Sequence, residues 1–144
     1  MIKRATTEDA GQLARMAIQL WTEHDPKALE DEFRKLAEND EAACFIKYLA
    51  DAPVAFAQCQ LRRDYVEGTE SSPVGYLEGI YVSEGYRKKG CAAELLSECE
   101  KWAREKGCTE FASDCELDNM DSLRFHMALG FEEVNRIICF RKDL

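Results

Sequence analysis

Val74-Gly75-Tyr76-Leu77-Glu78-Gly79-Ile80-Tyr81-Val82, followed at a short distance by Arg87-Lys88-Lys89-Gly90-Cys91-Ala92, is the stretch from which the fold can be read. The first nine residues read as a strand, carrying valine, tyrosine and isoleucine where a pleated surface accepts them. From residue 88 the period becomes helical: Ala92, Leu95, Leu96, Cys99, Trp102 and Ala103 form one apolar stripe that ends at Gly107. Glu110–Asp114 then reads as a strand again. Strand, helix and strand over 74–114 imply a parallel pair joined by a right-handed crossover, since parallel strands cannot be joined by a tight turn.

Upstream, Ala43–Ala50 and Val54–Leu61 flank Asp51-Ala52-Pro53 and predict a hairpin. Residues 2–5 read as a short strand. Thr6-Thr7-Glu8-Asp9 opens a helix, with a hydroxyl cap and acids at the positive end of the dipole, and Leu13, Ala14, Ala17, Leu20 and Trp21 recur at helical spacing. A second helix follows Pro26, with Leu29, Phe33 and Leu36 on its apolar face. Residues 65–73, with Gly68, Ser71, Ser72 and Pro73, read as a loop. Downstream, 119–129 reads as a helix closed by Gly130, and 131–142 as a final strand. Hairpins first and a crossover later predict a mixed α/β sheet, not a doubly wound one.

The 144 residues suffice for one domain, 1–144, with a real core. Hydrophobic residues at 46% and charged residues at 33% give the balance of a soluble globular chain. No run approaches the roughly 18 to 20 apolar residues of a membrane span. The start Met1-Ile2-Lys3-Arg4-Ala5 lacks the apolar stretch of a secretory signal. Seven cysteines, an odd number without a C-x-x-C pair, argue against a disulfide framework or a zinc site and for a reducing cytoplasm. A net charge of −9 argues against nucleic acid and suits a cationic partner.

Arg87-Lys88-Lys89-Gly90-Cys91-Ala92 carries the strongest local signal. Backbone N–H groups at a helix N-terminus can cradle an anion, and a glycine there lets the ligand approach. A basic helix cap with a turn glycine would look the same in sequence. Neither a G-x-x-x-x-G-K-[ST] nor a G-x-G-x-x-G pattern is present, so no nucleotide site of those kinds is indicated.

Leu77-Glu78-Gly79-Ile80-Tyr81-Val82 with Arg87-x-x-Gly90-x-Ala92 resembles the acetyl-CoA motif of the GNAT N-acetyltransferase superfamily. Asn119-x-x-Ser122 and Ala128-Leu129-Gly130-Phe131 resemble its second motif. A fuller match runs through Leu20-Trp21-x-x-His24, Asp64-Tyr65-Val66-x-Gly68-x-x-Ser71-Ser72-Pro73-Val74, Lys106-Gly107-Cys108, Ala112-Ser113-Asp114 and Gly130-Phe131-Glu132-Glu133. These segments are similar to the bacterial aminoglycoside 6′-N-acetyltransferases.

The resemblance implies a GNAT-type fold: a mixed, mostly antiparallel sheet with a splayed central parallel strand pair, flanked by helices. Gly79 is where a bulge at the splay comes cheapest. It implies further that backbone groups of Ile80, Tyr81 and Val82 bind pantetheine and polarise the acetyl carbonyl. Arg87, Lys88, Lys89, Gly90, Cys91 and Ala92 would hold the pyrophosphate, and Asn119 would touch the cofactor arm. No metal is implied. Trp21, Tyr65, Glu78, Asp114 and Asn135 would line the aminoglycoside site, with Asn135 standing where similar enzymes can carry an acid. Many superfamily members carry a tyrosine between the second-motif Asn and the Gly-Phe; His126 stands there, and no catalytic role is assigned to it.

An alkyl ammonium with a pKa of about 10.4 is neutral only about once in 10³ molecules at pH 7, so a carboxylate must take the proton before the amine can attack. Asp114, at the C-terminal end of its strand, is the candidate, with Glu78 on the neighbouring strand. Taken singly, each residue has a plainer use: Glu78 on a solvated sheet face, Asp114 as a turn cap, Trp21 in the core and His24 on the surface. The expected activity is direct transfer of acetyl from acetyl-CoA to an aminoglycoside 6′-amine. The rivals are an acetyltransferase for polyamines or peptide amines, and a non-catalytic acetyl-CoA sensor. Ile137-Ile138-Cys139-Phe140 is a candidate pairing edge, and similar enzymes are homodimers, so a homodimer is expected.

Overall fold

The computed structural model covers residues 1–144 and contains one five-stranded sheet in the order β1-β2-β3-β4-β5. The strands are β1 (Ile2–Arg4), β2 (Ala42–Leu49), β3 (Ala52–Arg62), β4 (Val74–Val82) and β5 (Phe111–Ser113). All neighbours are antiparallel except β4 and β5, which run parallel, as the strand–helix–strand reading requires. The helices are α1 (Ala10–Ala17), α2 (Pro26–Ala37), α3 (Cys91–Glu105) and α4 (Met120–Ala128).

The sheet is covered on both faces. Leu95, Leu96, Cys99 and Trp102 of α3 bury against Ala55, Ala57, Cys59 and Leu77 on one face. Leu13 and Ala14 of α1, with Leu29 and Phe33 of α2, bury against Cys44, Ile46 and Phe56 on the other. Both layers follow from the period-two alternation of β2, β3 and β4, which sends successive side chains to opposite faces. The helix ends are set locally. Asp25 caps α2, accepting from the Ala28 N–H at 3.0 Å, with Pro26 in the first turn where its missing N–H costs nothing.

Several expectations need correction. The hairpin turn is Ala50-Asp51, both at positive φ (49° and 64°), and pairing resumes at Leu49↔Ala52, so Asp51-Ala52-Pro53 is not the turn. Two central residues at positive φ match the twist of the flanking strands. Pro53 is accommodated because the register shifts between Lys47 and Tyr48, opposite it, where a ladder donor is not needed. α1 stops at Ala17; Leu20 and Trp21 fold back in a turn, both donating N–H to the Ala17 carbonyl.

The expected strand over 131–142 does not form. Residues 131–144 have no regular structure, and Ile137, Ile138 and Phe140 are exposed. A strand exists only where an edge receives its N–H and C=O groups, and this segment pairs with none in the chain. The parallel pair β4–β5 consequently closes one end of the sheet instead of lying at its centre.

Candidate active site

β4 and β5 pair at only three positions, Gly75↔Phe111, Tyr76↔Ala112 and Leu77↔Ser113. The register of β4 against β3 slips at the same level: Gly79 faces Gln58 and Leu77 faces Cys59, leaving Glu78 as the extra residue. The bulge therefore falls on Glu78, with Gly79 beside it. Gly79 is required for a different reason: a Cβ there would lie 2.7 Å from Cζ2 of Trp21 and 2.8 Å from its Cη2. The indole lies across the backbone at the bulge, edge-on to Phe56 with ring centroids 6.4 Å apart.

Beyond Leu77 one edge of β4 is open. Ile80 and Val82 pack on the α3 face as Leu77 does, whereas Tyr81 packs on the face of α1 and α2. Face and edge alternate together along a strand, so the peptide groups of Ile80 and Val82 point into the gap, and that of Tyr81 points towards β3. The Val82 carbonyl accepts from Nε of Arg87 at 2.9 Å. At the far end of the gap Gly90 precedes α3 at φ 85°, and a Cβ on it would meet nothing within 4 Å. The N–H groups of Lys88, Lys89 and Gly90 donate to no backbone or side-chain acceptor, and the first N–H groups of α3 lack intrahelical partners. This is a cluster of free donors at a positive helix end, which fits a pyrophosphate. Asn119 caps α4, its Oδ1 accepting from the Ser122 N–H at 3.1 Å.

Two carboxylates, Glu78 and Asp114, are joined through Arg62 and Tyr76. Both oxygens of Glu78 are taken by Arg62, Nε to Oε1 and Nη2 to Oε2, each at 2.9 Å. The Arg62 guanidinium lies over the ring of Tyr76, 3.5 Å from its centroid. The Tyr76 hydroxyl in turn donates to Oδ2 of Asp114, the first residue past β5. Burial, reinforced by that hydrogen bond, raises the Tyr76 pKa above the ordinary tyrosine value, so the hydroxyl stays a donor. The ion pair with Glu78 raises that of Arg62.

Of the expected site residues, Glu78 and Asp114 are linked through Arg62 and Tyr76, and Trp21 lies against Gly79, the residue after Glu78. Tyr65 is 77% exposed in the loop between β3 and β4. Asn135 donates instead to Oε1 of Glu67 at 2.6 Å. Arg62 and Tyr76 escaped the sequence reading. The one signal for Tyr76 was its period-two spacing from Glu78, and nothing local marks Arg62. His126 donates from Nδ1 to the Ser122 carbonyl at 2.7 Å, which in the neutral ring leaves Nε2 to accept from Ser113 Oγ at 2.8 Å.

The open strand pair, the free N–H cluster before α3 and the strand order define an acyl-CoA-binding fold, and the sequence bears that out: the chain belongs to the acetyltransferase (GNAT) family, whose pattern matches residues 11–131. Within that family it is 46% identical over 126 residues to an aminoglycoside N(6′)-acetyltransferase type 1 of Serratia marcescens, covering 87% of this chain and 86% of that one. It is 42% identical over 144 residues to the enzyme of the same name from Stenotrophomonas maltophilia, covering 99% and 93%. Its structure superimposes on AAC(6′)-Iy in complex with the bisubstrate analogue CoA-S-monomethyl-acetylneamine with a TM-score of 0.95 and 35% identity, covering 100% of this chain and 98% of that one.

Proposed function

We infer that the chain is an acetyl-CoA-dependent aminoglycoside N-acetyltransferase acting on the 6′-amine, and that Asp114 removes the proton from the reacting ammonium. The observation that carries this reading is the pair of carboxylates at the mouth of a splayed parallel pair whose other end offers free N–H groups. An anionic cofactor suits the second and a polycationic acceptor suits the first.

Acetyl-CoA supplies the activated acyl group. Lys88, Lys89, Gly90, Cys91 and Ala92 would hold its pyrophosphate through backbone N–H groups and the two ammonium groups, Arg87 would add what remains of its guanidinium, and Asn119 would touch the cofactor arm through its free amide nitrogen. Ile80, whose peptide group points into the gap, is the candidate donor to the acetyl oxygen as negative charge develops there. The peptide of Tyr81 is turned away and plays no such part. Asp114 keeps one oxygen free of Tyr76, and that oxygen takes the amine proton. Glu78 attracts the acceptor but is committed to Arg62, which suits it to binding more than to proton transfer. The amine nitrogen forms the new bond to the acetyl carbon, and the C–S bond breaks to release CoA.

The test is a panel of amines scored by thiol release from acetyl-CoA. Aminoglycosides with a 6′-amine should react and 6′-hydroxyl analogues should not, with product NMR placing the acetyl group on the 6′-nitrogen. Equal turnover of spermidine and a peptide amine would overturn the acceptor assignment, and tight acetyl-CoA binding without turnover of any amine would indicate a sensor.

The homodimer is supported by a separate observation. Residues 131–144 leave the molecule past the loop between β3 and β4, where Val134 rests on Gly68, and then expose Ile137, Ile138 and Phe140. An apolar segment with unpaired backbone is suited to pairing with a second copy of the chain.

A further inference from the structure

Of the two carboxylates at the splay, only Asp114 has an oxygen to spare, and what fixes its other oxygen is a residue outside any cofactor or acceptor assignment. Tyr76 stands on β4 in the middle of the three pairs with β5, opposite Ala112 and one level before the strands part. Its ring is buried against Val66, Val74 and Ala112, and its hydroxyl reaches forward to Asp114 Oδ2. The exposed face of the ring is covered by the Arg62 guanidinium, whose donors grip Glu78. The two acids are thus tied into one chain, Glu78–Arg62–Tyr76–Asp114, in which the aromatic ring is the only member anchored in the core. We propose that Tyr76 is a positioning residue for Asp114, aiming its carboxylate so that one oxygen faces the acceptor, with Arg62 clamping the ring in place. The proposal rests on Asp114 being the group that takes the ammonium proton.

Tyr76 of β4 supplies the one side-chain hydrogen bond to Asp114, and Arg62 of β3 lies over the Tyr76 ring. On its own strand Ser113 carries the His126 ring of α4, and from the C-terminal segment Arg136, paired with Glu133, lies on the side of Cys115. A phenol donating to one carboxylate oxygen fixes the direction of the other, so removing the hydroxyl frees the Asp114 carboxylate to turn away from the acceptor.

Tyr76→Phe keeps the ring beneath Arg62 and deletes only the donor. Two measurements belong together: steady-state kinetics with an aminoglycoside bearing a 6′-amine and acetyl-CoA varied in turn, and the thermal unfolding midpoint. The kcat should fall about tenfold, the equivalent of one charge-assisted hydrogen bond, with the KM for acetyl-CoA and the unfolding midpoint unchanged. A kcat equal to that of the parent enzyme would overturn the proposal, as would a loss of kcat accompanied by a lower unfolding midpoint. Arg62→Lys keeps the charge and loses the planar fork. It should raise the aminoglycoside KM and leave kcat in place; a fall in kcat as large as that of Tyr76→Phe would assign the effect to the fork at position 62 and also overturn it. The functional reading fails separately: a parent enzyme that acetylates no aminoglycoside removes the acceptor assignment, whereas an active parent with an unchanged Tyr76→Phe variant removes only the brace.

Discussion

At the scale of single residues the two acids differ in what they have left to give. Glu78 faces Arg62 with both oxygens, whereas Asp114 faces a neutral phenol with one. Glu78→Gln should therefore act on binding. It removes an attraction for the polycation and leaves the Arg62 charge uncompensated beside it, so the aminoglycoside KM should rise about tenfold, while that for acetyl-CoA stays the same. Asp114→Asn preserves shape and still accepts from Tyr76, but it cannot take a proton. Its kcat should fall by about 10² to 10⁴, the range lost with a general base, and the loss should persist at saturating substrate. Steady-state kinetics with each substrate varied in turn separates the two outcomes. The cysteines divide in the same local way: burial raises the pKa of Cys44, a hydrogen bond with Cys99 together with burial raises that of Cys59, and both are left unreactive, while Cys115 and Cys139 are exposed.

At the scale of elements the site is made by one strand that cannot stay paired. The bulge at Glu78 turns β4 so that Leu77 and Ile80 share a face, and this leaves one edge of the strand open for a ligand. Trp21 is wedged against the same place, so Gly79→Ala should displace the indole. We expect a loss of about 1 to 3 kcal/mol in stability from the overpacking, read by thermal or denaturant unfolding, together with a higher aminoglycoside KM. At the start of α3 the geometry is reversed: Gly90 has open space around it but a backbone conformation that L-residues resist. Gly90→Val should retain the folded circular dichroism spectrum yet weaken acetyl-CoA binding by at least about tenfold in calorimetry, because the N–H cluster depends on that turn. Unchanged affinity in the folded variant would remove the cradle from the cofactor site.

At the scale of the whole molecule, two helical layers cover a sheet that stops short. The C-terminal segment offers Ile137, Ile138 and Phe140 to solvent and pairs with nothing in its own chain. If it is completed by a second copy, Ile138→Asp should shift the protein from dimer to monomer in sedimentation and lower its thermal midpoint in a concentration-dependent way. A parent protein that sediments as a monomer at micromolar concentration would contradict that assembly. Asn135 belongs to the same segment and is held by Glu67, so its place relative to the acceptor depends on where the segment docks.

Sequence by itself determined the order of elements, because each is encoded by short-range chemistry: the helical stripe from Ala92 to Ala103, the Asp25-Pro26 helix start, and Asn119 as a cap. It determined the parallel pair as well, since a strand–helix–strand run has few other solutions. Asp114 and the glycine before α3 could be named from it, because strand ends and helix starts are visible in one dimension, whereas Glu78, inside β4, is singled out only by the family resemblance. The tertiary structure decided what those residues touch. The pairing of Glu78 with Arg62, the tie from Tyr76 to Asp114 and the seating of Trp21 on Gly79 join positions 16, 38 and 58 residues apart, with no pattern linking them along the chain. It also decided that 131–142 forms no strand. An apolar run gives a segment a tendency to pair, but whether it becomes a strand depends on an edge elsewhere, and that edge exists only once the sheet has formed.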